Sequence, residues 1–229
     1  MASDQFEIRY RMTLSDGNVE TVGTLIDTQT VQLKSPLPEA CPDWTSLDFH
    51  QCENCPLSSS GDDATSHCPV AVRLVPLIAP CNKLISYDQV SVEVETINRR
   101  ISADVKAEQV ISSLMGLIIA TSGCPHMAFF KPMARYHLPF ATLEETLFRS
   151  TGTYLLGCYL RQRKGEAVDY SFDGLMEIYD EVKQVNSSLA ARLRAAAETD
   201  SALNALTLLD AYGQVLPFAL QRFLDEFDL

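Results

Sequence analysis

The sequence predicts an α+β protein in which a small N-terminal antiparallel sheet leads, through a cysteine-rich loop, into a C-terminal helical bundle. Three observations carry this. Alternating segments around an Asp-Gly turn open the chain, helical periodicity dominates from Asp104 onward, and between them lies a polar stretch with neither pattern.

"FEIRYRMTL" and "VETVGTLID" flank "SDGN", and Asp16-Gly17 supplies the positive-φ residues of a tight hairpin turn. A third strand is expected over 90–96, "VSVEVET", with Val90, Val92 and Val94 on one face. "VAVRLVPLIAPC" reads as a short apolar helix limited by Pro76 and Pro80. Asp104 is placed to cap the first long helix, with Val110, Leu114, Leu117, Ile118 and Thr121 as its stripe and Gly123 as its stop. "TLEE" at 142–145 is a capping box for a helix to about Lys164, striped by Leu143, Leu147, Tyr154, Leu155 and Cys158. Leu175, Ile178, Val182, Val185, Leu189 and Leu193 mark the next helix; Gly213 ends a shorter one, and "PFALQRFLDEF" closes the chain. The expected organisation is residues 1–103, sheet plus loop, and residues 104–229, a bundle of about five helices, packed as one unit.

Composition narrows the function. The chain has 229 residues, 46% of them hydrophobic, which is enough for a compact core. Its net charge of −12 lacks the cationic footprint that tracks phosphate backbones, so no nucleic-acid partner is expected. "MASDQFEIRY" has no basic or apolar leader, and the most apolar run, Leu114 to Ala120, is too short for a bilayer. A cytoplasmic location and no membrane partner are the expectation. Seven cysteines without an export signal then point to thiols used as metal ligands, catalytic groups or core residues. Lys131 and Arg135 open a locally basic segment where an anionic ligand would fit.

The polar stretch holds the main chemical signal, spaced Cys41-x10-Cys52-x2-Cys55-x12-Cys68. A Cys-x2-Cys turn aims two thiolates at one ion, and four thiolates suit zinc, with His50 and His67 as alternate ligands. Cys41, Cys55 and Cys68 are each followed by Pro, a step that also recurs around iron–sulfur clusters, so that cofactor is the alternative. The insert from Ser58 to Ser66 is then a loop whose ends are clipped by ligands. Cys81 and Cys158 lie on apolar helical stretches and read as core.

A second constellation, "GCPHMAFFKPMARYHLPF", gathers Cys124, His126 and His137, a thiol near two imidazoles and so a candidate chemical site. Its aromatics Phe129, Phe130, Tyr136 and Phe140 are expected in the core. "CPDWT", "FHQCENCPL", "HCPVA" and "SGCPHMAFFKPMARYHLPF" together resemble a family of bacterial proteins of about this length, a domain of unknown function. The likeness spans most of the chain from Cys41 onward and implies no particular activity. Walker, Rossmann, zincin and nucleophile-elbow motifs do not occur. The reading that follows is a non-enzymatic, zinc-holding interaction or regulatory protein with a protein partner or self-association. Its alternative is a thiol/histidine enzyme or an iron–sulfur redox sensor using the Cys124, His126 and His137 loop.

Overall fold

The computed structural model describes residues 4–62, 64–196 and 199–226. β1 (Gln5–Thr13) and β2 (Val19–Asp27) form the expected hairpin, with Gln5 opposite Asp27 and Thr13 opposite Val19. Gly17, at φ 84°, turns the chain between them. β3 (Gln89–Glu95) pairs with β1, Arg9 opposite Glu95, and β4 (Arg100–Lys106) pairs with β3, so the antiparallel order is β2-β1-β3-β4. Strict alternation along β1 sends Phe6, Ile8, Tyr10 and Met12 inward, beside Val90, Val92 and Val94 of β3.

Seven further elements build the rest. α1 (Pro69–Asn82) runs through Pro76 and Pro80 rather than stopping at them, because its buried face, Val70, Leu74, Leu77 and Cys81, outweighs the lost backbone hydrogen bonds. α2 (Ala107–Thr121) begins three residues later than Asp104, which belongs to β4 and takes a hydrogen bond from Ser91 Oγ across the pair. α2 is buried along almost its whole length and packs on α1, β3 and β4. Gly123, at φ 97°, ends it as expected, and a 3-10 turn (Pro125–Phe130) leads into the short α3 (Lys131–Arg135).

α4 (Leu143–Gln162) opens on the predicted capping box: Thr142 Oγ1 accepts from Glu145 N at 3.2 Å, and Thr142 N donates to Glu145 Oε2 at 2.8 Å. Its stripe buries Leu147, Tyr154 and Cys158, but Leu155 faces outward. α5 (Asp173–Ala196) buries Leu175, Val182, Val185, Leu189 and Leu193. α6 (Ser201–Asp225) is one helix where two were expected, and Gly213 lies within it. That position is close to a neighbour, since a Cβ there would stand 3.5 Å from Tyr179 Cδ1. Phe227, expected in the last helix, lies outside the described residues.

One continuous core joins the inner sheet face to α1, α2, α5 and the start of α6, and Cys81 belongs to it. A second cluster, with Cys158, packs α4 against α5 and the end of α6. Phe130 and Phe140 pack on the first core, whereas Tyr136 is 75% exposed. Among the described residues no single helix is long and apolar enough to cross a membrane.

Candidate functional site: a four-thiol cluster

The cysteine-rich loop is organised by its backbone. Asp43–Thr45 forms a 3-10 turn, Ser46 and His67 pair as an isolated antiparallel bridge, Leu47 N donates to Ser66 O at 3.0 Å, and Cys68 N donates to Thr45 O at 2.8 Å. The two ends of the insert are therefore clipped by hydrogen bonds. Cys55 N donates to Cys52 O at 3.0 Å, closing the Cys-x2-Cys turn. Cys68 then caps α1 and Cys124 caps the 3-10 turn, each followed by a proline at the first helical position, where its missing N–H costs nothing.

Electrostatic interactions link three of the predicted thiols and one from the second constellation. Burial raises the Cys52 thiol above its ordinary range, and the neighbouring Cys68 and Cys55 push the same way, while a hydrogen bond with Ser188 and the charge of Arg192 oppose them. Burial pushes Cys124 up to about 11; Cys68 and Cys52 add to this, and hydrogen bonds from the backbone N–H groups of His126 and Met127 oppose it. Cys52 thus feels the charges of Cys55 and Cys68, and Cys124 those of Cys52 and Cys68. Cys41 is not among the groups that act most strongly on Cys52 or Cys124.

The surroundings are cationic and tightly bonded. Arg192, on α5, is almost fully buried; it donates to Trp44 O at 2.8 Å, Ser46 O at 2.6 Å and Leu47 O at 2.9 Å. Among the described residues it has no carboxylate within ion-pair distance, an unusual state for a buried guanidinium. His126 bridges Asn54 O, at 2.8 Å from Nε2, and Glu181 Oε2, at 2.9 Å from Nδ1. Asn54, inside the Cys52–Cys55 turn, gives an N–H to Glu181 O at 3.2 Å, and its buried Oδ1 has no hydrogen-bond partner.

The remaining predicted ligands are placed elsewhere. Thr45 Oγ1 donates to Pro42 O at 2.7 Å and so accepts from His67 Nδ1 at 3.0 Å. His50, at φ 47°, stands edge-on to Phe49 with 4.8 Å between ring centroids. Nor do Cys124, His126 and His137 form a triad. His137 Nε2 lies 2.6 Å from Tyr10 Oη, which also bonds Ser113 Oγ at 2.8 Å, while His126 faces α5. A raised thiol is also the opposite of the activated thiolate expected at Cys124. Arg135 donates to Thr28 O and lies over the Phe6 ring at 6.0 Å, so its charge is already engaged. Among the described residues no group of three or more His, Cys, Asp or Glu side chains is gathered to hold a metal ion.

A family model for a domain of unknown function, DUF6901, matches residues 8–229. The chain belongs to this family. The match runs from the first strand past the last described residue, so sheet, thiol cluster and helices all fall inside one family unit. No curated protein and no solved structure matches the chain.

Proposed function

We propose that this chain is a non-enzymatic metal–thiolate protein in which Cys52, Cys55, Cys68 and Cys124 hold an iron–sulfur cluster. The observation that carries this reading is that thiols from three separate segments, Cys52 with Cys55, Cys68 and Cys124, are linked by electrostatic interaction, with the buried Arg192 acting on Cys52. Four thiolates around a cluster carry net negative charge, and Arg192 and the N–H donors at Cys124 are the groups that would offset it.

A single zinc fits less well. Zn–S bonds of 2.3 Å draw tetrahedral thiolates to about 3.8 Å from one another. A cluster interposes iron and sulfide between the cysteines and holds them wider apart. That suits thiols carried on three separate segments, the Cys52–Cys55 turn, the cap of α1 and the cap of the 3-10 turn. Prolines after Cys55, Cys68 and Cys124 point the same way. Four protein ligands leave no open position for substrate, so the centre serves structure or electron exchange rather than turnover.

Anaerobic purification with iron, sulfide and zinc analysis tests this. The expected result is broad visible absorption with iron and sulfide in equal, multiple amounts per chain, lost in Cys52→Ser, Cys55→Ser, Cys68→Ser and Cys124→Ser but retained in Cys41→Ser. Colourless protein with one zinc per chain, or a centre that needs Cys41 and not Cys124, overturns it.

A further inference from the structure

A cavity of about 210 Å³ lies between the Pro125–Phe130 turn, α2, α3, α4, α5 and α6, and no cysteine lines it. Leu117, Met127, Phe130, Met133 and Leu209 form apolar walls, and two methionines let such walls adapt to a guest. Arg149 of α4 also lines it.

The guanidinium of Arg149 is held by carbonyls, and the charge of Glu145 acts on it only through space. It gives NH2 to Met133 O at 2.6 Å and Tyr136 O at 3.1 Å, and among the described residues no carboxylate stands within ion-pair distance. Glu145, one turn back on the same helix, is turned to its own capping bond with Thr142 N. His137 also lines the cavity; burial, with the nearby Arg149 charge, lowers it to about 3, so at neutral pH the ring adds no second positive charge. The site therefore presents apolar walls and a single cation.

We infer that this cavity binds a small apolar monocarboxylate, its acid group on Arg149 and its hydrocarbon against Leu117, Met127, Phe130 and Leu209. With Nη2 engaged by two carbonyls, Nη1 or Nε is left to donate to a carboxylate oxygen, and the low dielectric of the walls strengthens the charge pair. At about 30 Å³ per water-sized group, the volume takes on the order of seven such groups, the size of a medium-chain alkanoate. Nothing in this binding mode depends on what the thiols hold.

Calorimetric titration of the full chain with octanoate, palmitate and 1-octanol tests the inference. Octanoate is expected to bind once per chain, at least tenfold more tightly than 1-octanol, which lacks the charge, and than palmitate, which is too long. Arg149→Gln should remove the preference for acid over alcohol while leaving 1-octanol binding in place. Absence of saturable one-to-one octanoate binding, equal affinity for acid and alcohol in the unsubstituted chain, or an acid preference that survives in a folded Arg149→Gln overturns it. The acid–alcohol comparison decides the matter even if the variant does not fold.

Discussion

The loop from Cys41 to Cys68 and the helices after Ala107 are held by different forces. The helices bury continuous apolar stripes, and each side chain contributes through area removed from water. The loop, apart from Trp44, Leu47 and Phe49, has little apolar surface, and its carbonyls are satisfied by one arginine that arrives from α5. Stability in the first region is spread over many residues; in the second it is concentrated in a few polar bonds. Concentration makes the loop sensitive to single substitutions that the bundle would tolerate.

Arg192→Leu should break the contrast most strongly. It strands three carbonyls, at Trp44, Ser46 and Leu47, all of them paired with the buried guanidinium, and the expected loss is about 3–5 kcal/mol by urea unfolding. Limited proteolysis should then cut first between Cys41 and Cys68. If the loop stays protected, the arginine is not its anchor.

A smaller effect belongs to the helical side. His137 is buried beside Tyr10 of β1 and Arg149 of α4 and is lowered to about 3, below the roughly 6.5 of an unfolded chain. Protons therefore bind the unfolded state first. The stability that the neutral ring contributes is complete above pH 6.5 and is lost as pH falls toward 3. One such group implies roughly 1.5 kcal/mol between pH 6.5 and pH 5, and His137→Gln should flatten that part of the stability–pH curve. An unchanged slope would place the titration elsewhere.

The mildest test sharpens the boundary between the regions. His126→Gln removes the bridge from Asn54 O to Glu181, of which the carboxylate end is more than half exposed, and should cost about 1 kcal/mol. Amide exchange should quicken in the Cys52–Cys55 turn and stay slow in α2. Equal loosening of both would show that the turn and the core open together.

The same contrast explains what was readable in the sequence. The hairpin, the Thr142 capping box, the Gly123 stop and the α5 stripe rest on neighbours a few residues apart, so local pattern reveals them. β4 escaped because "RISADVK" alternates charged positions with half-buried Ile101, Ala103 and Val105, and Asp104 imitates a helix cap. Gly213 imitates a stop because helical glycine is costly, yet it lies inside α6, where a Cβ would make only ordinary contact with Tyr179. In the candidate site the Cys52-x2-Cys55 turn and Cys68 were readable from spacing. The partnership of Cys124 with them, and the role of Arg192, depend on docking of distant helices and leave no mark at short range.

The reach of α5 also sets an order of events during synthesis. Ser188 and Arg192 meet the loop only after most of the chain has left the ribosome, long after Cys52, Cys55, Cys68 and Cys124 have emerged. Until then Cys52 lacks its Ser188 partner and the carbonyls of Trp44, Ser46 and Leu47 lack their donor. A message cut short before α5 would yield a chain with every cysteine but an unanchored loop, so the anchored loop is itself a record that translation reached the C-terminal helices.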